Sequence, residues 1–407
     1  MKILRAYKTE LSLNNKQISL LLQHVGCARW AYNWGLSKKK EAFEKKEKIP
    51  TAIDLHKELN KLKKTEIPWM YNSSKAAPQE SLRNLDKSFQ NFFREVKKGN
   101  KKQGFPKFKS KRNEVQSFRL TGTIKILDSG YIQLPRLGKL KLHEKGYLPK
   151  DVKILSTTIS RRAGKWFVSI QVEEEIIGEA KNDNKVIGVD LGIKSLAVCS
   201  DGTIYDNPKS LKKNLNKLKR KQRQLSRKKK GSKNRERAKQ KLRKLHYRIS
   251  NIRKNRLHKA TSKIINENQV IVMEDLKVSN MMKNHNLAQA ISDVGMFEFR
   301  RQINYKSVWN NRIVKYVDTF FPSSKQCSSC GNKKSNLTLA ERVYTCNNCG
   351  MEMDRDLNAA KNLEQFYTAS SAEIYASGDG NSSSESLVSP SSKEESNKKA
   401  KVYILKR

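Results

Sequence analysis

The stretch Val186-Ile187-Gly188-Val189-Asp190-Leu191-Gly192 decides how this chain is read. A short apolar run that ends in an aspartate and then breaks at glycine has the pattern of a buried strand delivering a carboxylate to its end. Working outward, Ser195 to Ser200 reads as a second strand, with Asp201-Gly202 as the hairpin turn to a third. Residues 176–185 upstream form a polar link. Residues 208–263 hold 25 Lys+Arg and one acid, Glu236. Apolar residues recur there at Leu211, Leu215, Leu218 and Leu225, then at Leu242, Leu245, Ile249 and Ile252. That is close to a heptad seam on two helices broken at Gly231-Ser232, an antiparallel hairpin with basic outer faces. Like charges at this density repel one another, so a phosphate backbone is the expected counter-charge. Val270-Ile271-Val272-Met273-Glu274-Asp275 is another buried strand ending in acid. A helix over 287–309, a strand over 313–317 and a helix from Asp356 to about Tyr367 complete this half.

The whole chain of 407 residues carries 85 Lys+Arg against 39 Asp+Glu, a formal charge of +46. Its length suggests two to four domains, and its charge calls for a polyanion, of which nucleic acid is the obvious one. No apolar run is long enough to span a bilayer, and Met1-Lys2-Ile3-Leu4-Arg5 begins no signal-peptide core. Six cysteines, four of them in paired spacing, do not form a secreted disulfide framework. A reducing cytoplasm is expected, with no membrane partner.

In the N-terminal half, residues 1–8 alternate as a strand. Helical spacing runs from Asn15 to about Lys48, over about 52–63, and from Pro78 to Lys98 with Leu82, Leu85, Phe89, Phe92 and Phe93 on one face. Residues 99–112 form a basic loop punctuated by Gly and Pro. Short strands follow at 118–120, 124–127, 131–134, 154–160 and 166–172, the pattern of a small barrel or sandwich that the first strand can join. The Ser-rich residues 368–395 have little apolar content and are expected to be disordered.

Cys327-x-x-Cys330 and Cys346-x-x-Cys349 are two knuckles separated by 15 residues. Four such thiolates can close a tetrahedron around one Zn²⁺ and leave no open position, so this zinc is expected to be structural. Cys27 and Cys199 have no partner spacing and read as core residues. Asp190 and Glu274 end buried strands, where functional groups gather in α/β sheets, and Asp356 opens a helix. Carboxylates converging there repel one another unless cations intervene, and two Mg²⁺ ions would serve a phosphodiester hydrolysis. Singly, each acid is ambiguous. A strand-terminal Asp before Leu-Gly also occurs in actin-like ATP-binding folds, Asp356 could be a helix N-cap, and Asp354 competes with it. The order decides: strand, hairpin, basic helices, strand with Glu274, helix, strand, helix with Asp356 is that of an RNase H-like nuclease. Neither the further Gly-rich phosphate turns of an ATPase nor a P-loop is present.

Gly188-Val189-Asp190-Leu191-Gly192-Ile193-Lys194, Met273-Glu274-Asp275-Leu276, the four cysteines and Asp354-Arg355-Asp356-Leu357-Asn358-Ala359-Ala360 resemble the three RuvC motifs and zinc ribbon of TnpB. This insertion-sequence family is similar to the type V CRISPR effectors. The resemblance covers about 1–367, including Phe321-Pro322-Ser323-Ser324 and Gly104-Phe105-Pro106-Lys107-Phe108. It implies a wedge-like β-barrel from 1–10 and 104–180, interrupted by a helical recognition insertion over 11–103. It also implies a RuvC nuclease domain from 181–320 and 350–367 carrying the basic hairpin 208–263, a zinc ribbon over 321–349, and a tail at 368–407. The implied activity is RNA-guided, Mg²⁺-dependent cleavage of double-stranded DNA beside a short target-adjacent motif. The implied partners are a guide RNA derived from the transposon end and target DNA, with one protein per RNA. Asp190, Glu274 and Asp356 are the implied catalytic acids, Asp356 being taken over Asp354 because it stands two residues before Asn358. Lys75, Gln79 and Thr121 match positions that touch the duplex beside the target, although exposed polar residues are common without such a duty. A guide-independent transposase or resolvase, and a nuclease-inactive RNA-guided DNA-binding regulator, are the alternatives. The first is disfavoured in its tyrosine form by the lack of a His-hydrophobe-His motif, the second by the intact acids.

Overall fold

The computed structural model describes residues 2–100, 104–112, 116–144, 146–149, 152–175, 185–338 and 341–376, with side chains to 369. The chain divides into two compact units, Met1–Glu175 and Ile176–Arg407.

The first unit opens with strand β1 (Lys2–Ser12), followed by helices α1 (Asn15–Glu44), α2 (Ala52–Thr65) and α3 (Ala76–Lys97). Strands β2 (Gln116–Leu120), β3 (Lys125–Leu127), β4 (Tyr131–Leu134), β5 (Gly138–Leu142), β6 (Lys153–Arg162) and β7 (Lys165–Glu175) follow. They form one sheet in the order β2-β6-β7-β1-β5-β4-β3. β1 holds it together, pairing with β7 from Lys2 to Glu10 and with β5 at Leu11 and Ser12. Among the described residues β2 and β3 are its open edges. The sheet nevertheless surrounds one core, because Phe118, Ile132, Leu140, Ile159 and Ile170 from its two halves share a cluster. Strand β5 was absent from the sequence reading, since Gly138-Lys139-Leu140-Lys141-Leu142 is short and half lysine and glycine, with only Leu140 and Leu142 facing in.

Asn14 and Thr51 start α1 and α2 through capping boxes with Gln17 and Asp54. The three helices close a second core of Leu36, Leu55, Leu59, Leu82 and Leu85. Gly35 permits it, because a Cβ there would lie 2.7 Å from Leu82 Cδ2. The basic loop read over 99–112 is pinned where it is described. Phe105 sits against Phe43, Phe89 and Phe92. Lys109 Nζ lies 3.8 Å from the Tyr32 ring centre, and both its backbone polar groups bond to the Asn33 side chain at 2.8 and 3.0 Å.

The second unit begins with β8 (Val186–Asp190), β9 (Ser195–Cys199) and β10 (Ile204–Asp206). Helices α4 (Ser210–Ser226) and α5 (Lys233–Glu267), strand β11 (Val270–Glu274), helices α6 (Val278–Met281), α7 (His285–Val294) and α8 (Met296–Trp309) and strand β12 (Ile313–Val317) follow. Short strands β13 (Val343–Thr345) and β14 (Glu352–Asp354) precede the last helix, α9 (Arg355–Ala376). The main sheet runs β10-β9-β8-β11-β12. β8 to β10 form an antiparallel meander, and β11 and β12 lie parallel to β8. Strand alternation sends Ile187, Val189, Ile271 and Met273 to a core with α5, α7 and α8. Val270 and Val272 face the other way, toward Leu363 of α9.

Leu218, Leu242, Leu245 and Ile249 form the seam of the α4–α5 hairpin, as the heptad spacing predicts. At its base the buried Asp293 carboxylate accepts from Leu211 N at 2.8 Å and Lys212 N at 3.0 Å, capping α4 from a distant helix. The helix expected over 287–309 is two helices. Gly295, with φ at 82°, ends α7 and starts α8, and a Cβ there would meet Arg253 Cδ at 3.2 Å. The final helix runs past Tyr367 to Ala376, into the stretch expected to be disordered. The remainder of that tail, 377–407, lies outside the described residues.

Candidate active site and metal centre

Asp190 and Glu274 end neighbouring parallel strands, whose register places Val189 opposite Met273 and so the two acids side by side. Both follow residues that alternate toward α9. Gly188, two before Asp190, lies directly under that helix: a Cβ would sit 1.9 Å from the Ala360 carbonyl oxygen and 2.7 Å from Glu364 N. Only glycine allows this approach, and the helix matches it with the fully buried Ala359 and Ala360. The first turn of α9, carrying Asp356, is thereby brought over the strand ends.

The electrostatics report the meeting of these groups. Burial raises the Asp190 pKa to about 8, with further upward pushes from Glu274, Asp356 and Asp354 and an opposing pull from Arg355. The carboxylate oxygens of the three acids do not form a group within ligand reach of one another among the described residues, as the four cysteines do. Arg355 Nη2 stands 3.3 Å from Asp356 Oδ1. Ser323 donates its hydroxyl to Glu274 Oε1. Asp275, next in sequence, turns away and pairs with Arg300, whose guanidinium lies 4.1 Å from the Tyr316 ring centre.

Asp354 and Asp356 separate clearly. Asp354 Oδ1 accepts from Asp356 N at 2.9 Å and Leu357 N at 3.1 Å, so the N-cap of α9 is Asp354. The Asp356 side chain is left out of the cap.

The four cysteine sulfurs lie within 4.8 Å of one another. Cys327 and Cys349 are 3.7 Å apart, and Cys330 and Cys346 3.6 Å. Tetrahedral Zn–S bonds of about 2.3 Å set sulfurs about 3.8 Å apart, so the donor set fits zinc. The backbone N–H groups of Cys349 and Asn348 pull the Cys346 thiol down to about 6, favouring the thiolate a metal needs. Cys27 and Cys199 are buried and apart from this group.

Sequence reading missed what ties this ribbon to α9. Asn358, fully buried, donates to the Gln326 carbonyl at 2.7 Å and accepts from Ser328 N at 2.9 Å. Asn362 donates to Ser323 O and Gln326 O, both at 2.7 Å, and Gln365 to Ser328 O at 2.8 Å. Amides at 358, 362 and 365 have helical spacing, the one signal that could have marked this ridge.

In the first unit, Lys75 stands exposed at the N-terminus of α3, and Gln79 lies one turn on, its N–H bonded to the Lys75 carbonyl at 3.4 Å. Thr121 directly follows β2, whose Phe118 and Leu120 share a core with Ala76 and Ala77 of α3. Among the described residues, no helix is long and apolar enough to cross a membrane.

These features have counterparts in known proteins. Residues 169–285 match the OrfB_IS605 family, described as "Probable transposase", and 297–363 match the Cas12f1-like TNB domain. Residues 1–48 match a helix-turn-helix domain, although here they form one strand and one long helix. The fold is similar to that of Cas12f1 in a complex with guide RNA and target DNA, with a TM-score of 0.56, 14% identity, and coverage of 89% of this chain and 99% of that one. The shared fold is mixed α/β, and among the described residues this chain carries a four-cysteine cluster. A Streptomyces pristinaespiralis protein named as an RNA-guided DNA endonuclease is 35% identical over 91% of both chains. The Escherichia coli K12 protein InsQ, named likewise, is 34% identical over 89% of this chain and 92% of its own. The chain belongs to the OrfB (TnpB) family of insertion-sequence proteins.

Proposed function

We propose that this protein is an RNA-guided DNA endonuclease that cuts double-stranded DNA through an RNase H-like, RuvC-type site made of Asp190, Glu274 and Asp356. The observation that carries the site is the placement of three acids from β8, β11 and α9 near one another, where burial first, and then Glu274 and Asp356, raise the Asp190 pKa. A cluster that holds a proton this tightly is starved of positive charge, and divalent cations would supply it. Two Mg²⁺ ions held there would activate water and stabilise the leaving 3′ oxygen.

The chain's own residues prepare that chemistry. Asp190 and Glu274 are fixed by neighbouring strands, and Ser323 orients Glu274 by its hydrogen bond. Asp354 caps the start of α9 and leaves the Asp356 carboxylate out of the cap. Cys327, Cys330, Cys346 and Cys349 hold one structural Zn²⁺, and the amides of α9 transmit the ribbon's rigidity to Ser323. The strands of the first unit and the nuclease half hold a guide RNA from the element's end, and helices α1 to α3 contact its heteroduplex with target DNA, with one protein per RNA. Lys75, Gln79 and Thr121 contact the duplex beside the target. The protein works on the bacterial nucleoid.

The test is co-expression with the element's flanking RNA and a plasmid bearing a matched target. Mg²⁺-dependent cutting is expected with the native chain and none with Asp190→Ala. Unchanged cutting by Asp190→Ala would remove the site assignment. Cutting of element ends by RNA-free protein would replace the guided reading with a transposase-like one.

A further inference from the structure

The loop that leaves Asp190 helps to wall a cavity of about 630 Å³ lined by Lys194, Asn207, Lys209, Lys213, Ile252 and Arg256, among others. Three separate segments build it: the β8–β9 loop, the turn from β10 into α4, and the middle of α5. Asn207 joins the first two. Its Nδ2 donates to the Ile193 carbonyl at 2.8 Å, and its Oδ1 accepts from Lys209 N at 3.0 Å. Lys209 takes a left-handed backbone, φ 44°, which turns the chain sharply into α4. Lys213 lies one helical turn further on.

Four cations therefore face one cavity. The single carboxylate on its wall, Asp206, is 81% exposed and stands 3.3 Å from Arg256 Nη2. Lys194, Lys209 and Lys213 make no ion pair among the described residues and are exposed to solvent. A cluster of this kind in a concave wall raises the local concentration of anions. Its lysines are point charges on flexible stems, suited to an anion that slides past in any sequence context rather than to one planar carboxylate.

We infer that this cavity seats a backbone phosphate of the DNA strand on its way to the three acids. The inference rests on the nuclease reading above. Position selects the cut strand over the guide. Lys194 is four residues from Asp190, and a chain of that length spans at most about 14 Å. The seat thus lies within a few phosphates of the reacting bond and holds the strand against drift while it is cut.

The test uses the RNA-loaded protein with Lys194, Lys209 and Lys213 all changed to Gln, binding a single-stranded DNA of mixed sequence across a salt series. Each lost phosphate contact lowers the slope of log K against log salt by about 0.7 on single strands, so the triple variant, losing one seated phosphate, is expected to lose about 0.7. KM for target DNA should rise with kcat nearly constant, and affinity for guide RNA, which the nuclease half holds over many other cations, should fall far less than affinity for DNA. The charge-keeping Lys194→Arg, Lys213→Arg variant should bind as the native chain does. Asp206→Asn, which frees Arg256, should tighten DNA binding. An unaltered salt slope in the triple variant, or an equal loss of guide-RNA affinity, would overturn the proposal. Binding is read without cleavage, so a failure of the nuclease reading (Asp190→Ala still cutting) is a separate result.

Discussion

Asp354 and Asp356 differ by two positions and by everything that surrounds their oxygens. Asp354 spends its side chain on two backbone N–H groups of α9, while Asp356 is free of the cap and repels Asp190. Asp354→Ala is expected to cost about 1 kcal/mol of stability, as cap losses do, with cutting retained at lowered temperature. Asp356→Ala should leave the unfolding midpoint unchanged or higher and take plasmid cutting below detection. Thermal unfolding and cleavage assays on the same preparations check both.

Lys306 offers a second measurement on one residue. Its Nζ is buried and donates to His258 O at 3.0 Å, Thr261 Oγ1 at 2.7 Å and Ser262 Oγ at 2.8 Å, without a carboxylate among those partners. Burial pushes its pKa from 10.5 down to about 8. The unfolded chain then binds this proton more tightly than the folded one, so the stability contribution is present above pH 10.5 and is lost as pH falls through 8. At about 1.4 kcal/mol per unit, native stability should climb by up to roughly 3 kcal/mol across that window. Lys306→Met should lack the climb. Denaturant unfolding at pH 8, 9 and 10 reads it.

Among the elements, α9 determines most. It lies on β8 through Gly188, and Gly188→Ala would drive a methyl into the Ala360 carbonyl, where every near atom is α9 backbone and none is a flexible side chain. Such overpacking is expected to cost roughly 3 kcal/mol and to impair cutting by displacing Asp356, seen as a lowered denaturation midpoint and slower cleavage. The ribbon is the other decisive element. Cys346→Ser should drop bound zinc from one per chain to near zero by elemental analysis. It should also expose 321–349 to proteolysis and slow cutting, because Asn358 and Asn362 then lose a rigid partner. Elements were legible where their pattern was strong. The heptad seam and the apolar strands of the main sheet appear where spacing placed them. β5 and the break at Gly295 were not legible. A strand that is half lysine has no apolar run, and a helix-ending glycine is distinguishable from a tolerated one only when its φ is known.

At the scale of the whole molecule, the charge of +46 governs behaviour. Purified at low salt, the protein should carry a discrete RNA from the element's flank, identified by sequencing. A mixed background of host RNA would count against a guide. Loading should weaken steeply as salt rises, through release of counter-ions from phosphates.

By itself the sequence determined the strong positive charge, the paired spacing of the four cysteines and the order of strands that puts acids at their ends. Each of these lives in composition or short-range spacing, which a linear reading can count. Only the tertiary structure decided which aspartate caps α9 and which stays out of the cap. It alone showed that Gly188 exists to let a helix backbone touch a strand, and that Asn207 draws Lys194 and Lys209 to one cavity. Those roles depend on groups far apart in the chain arriving within about 3 Å of one another, the range at which hydrogen bonds and steric contact act.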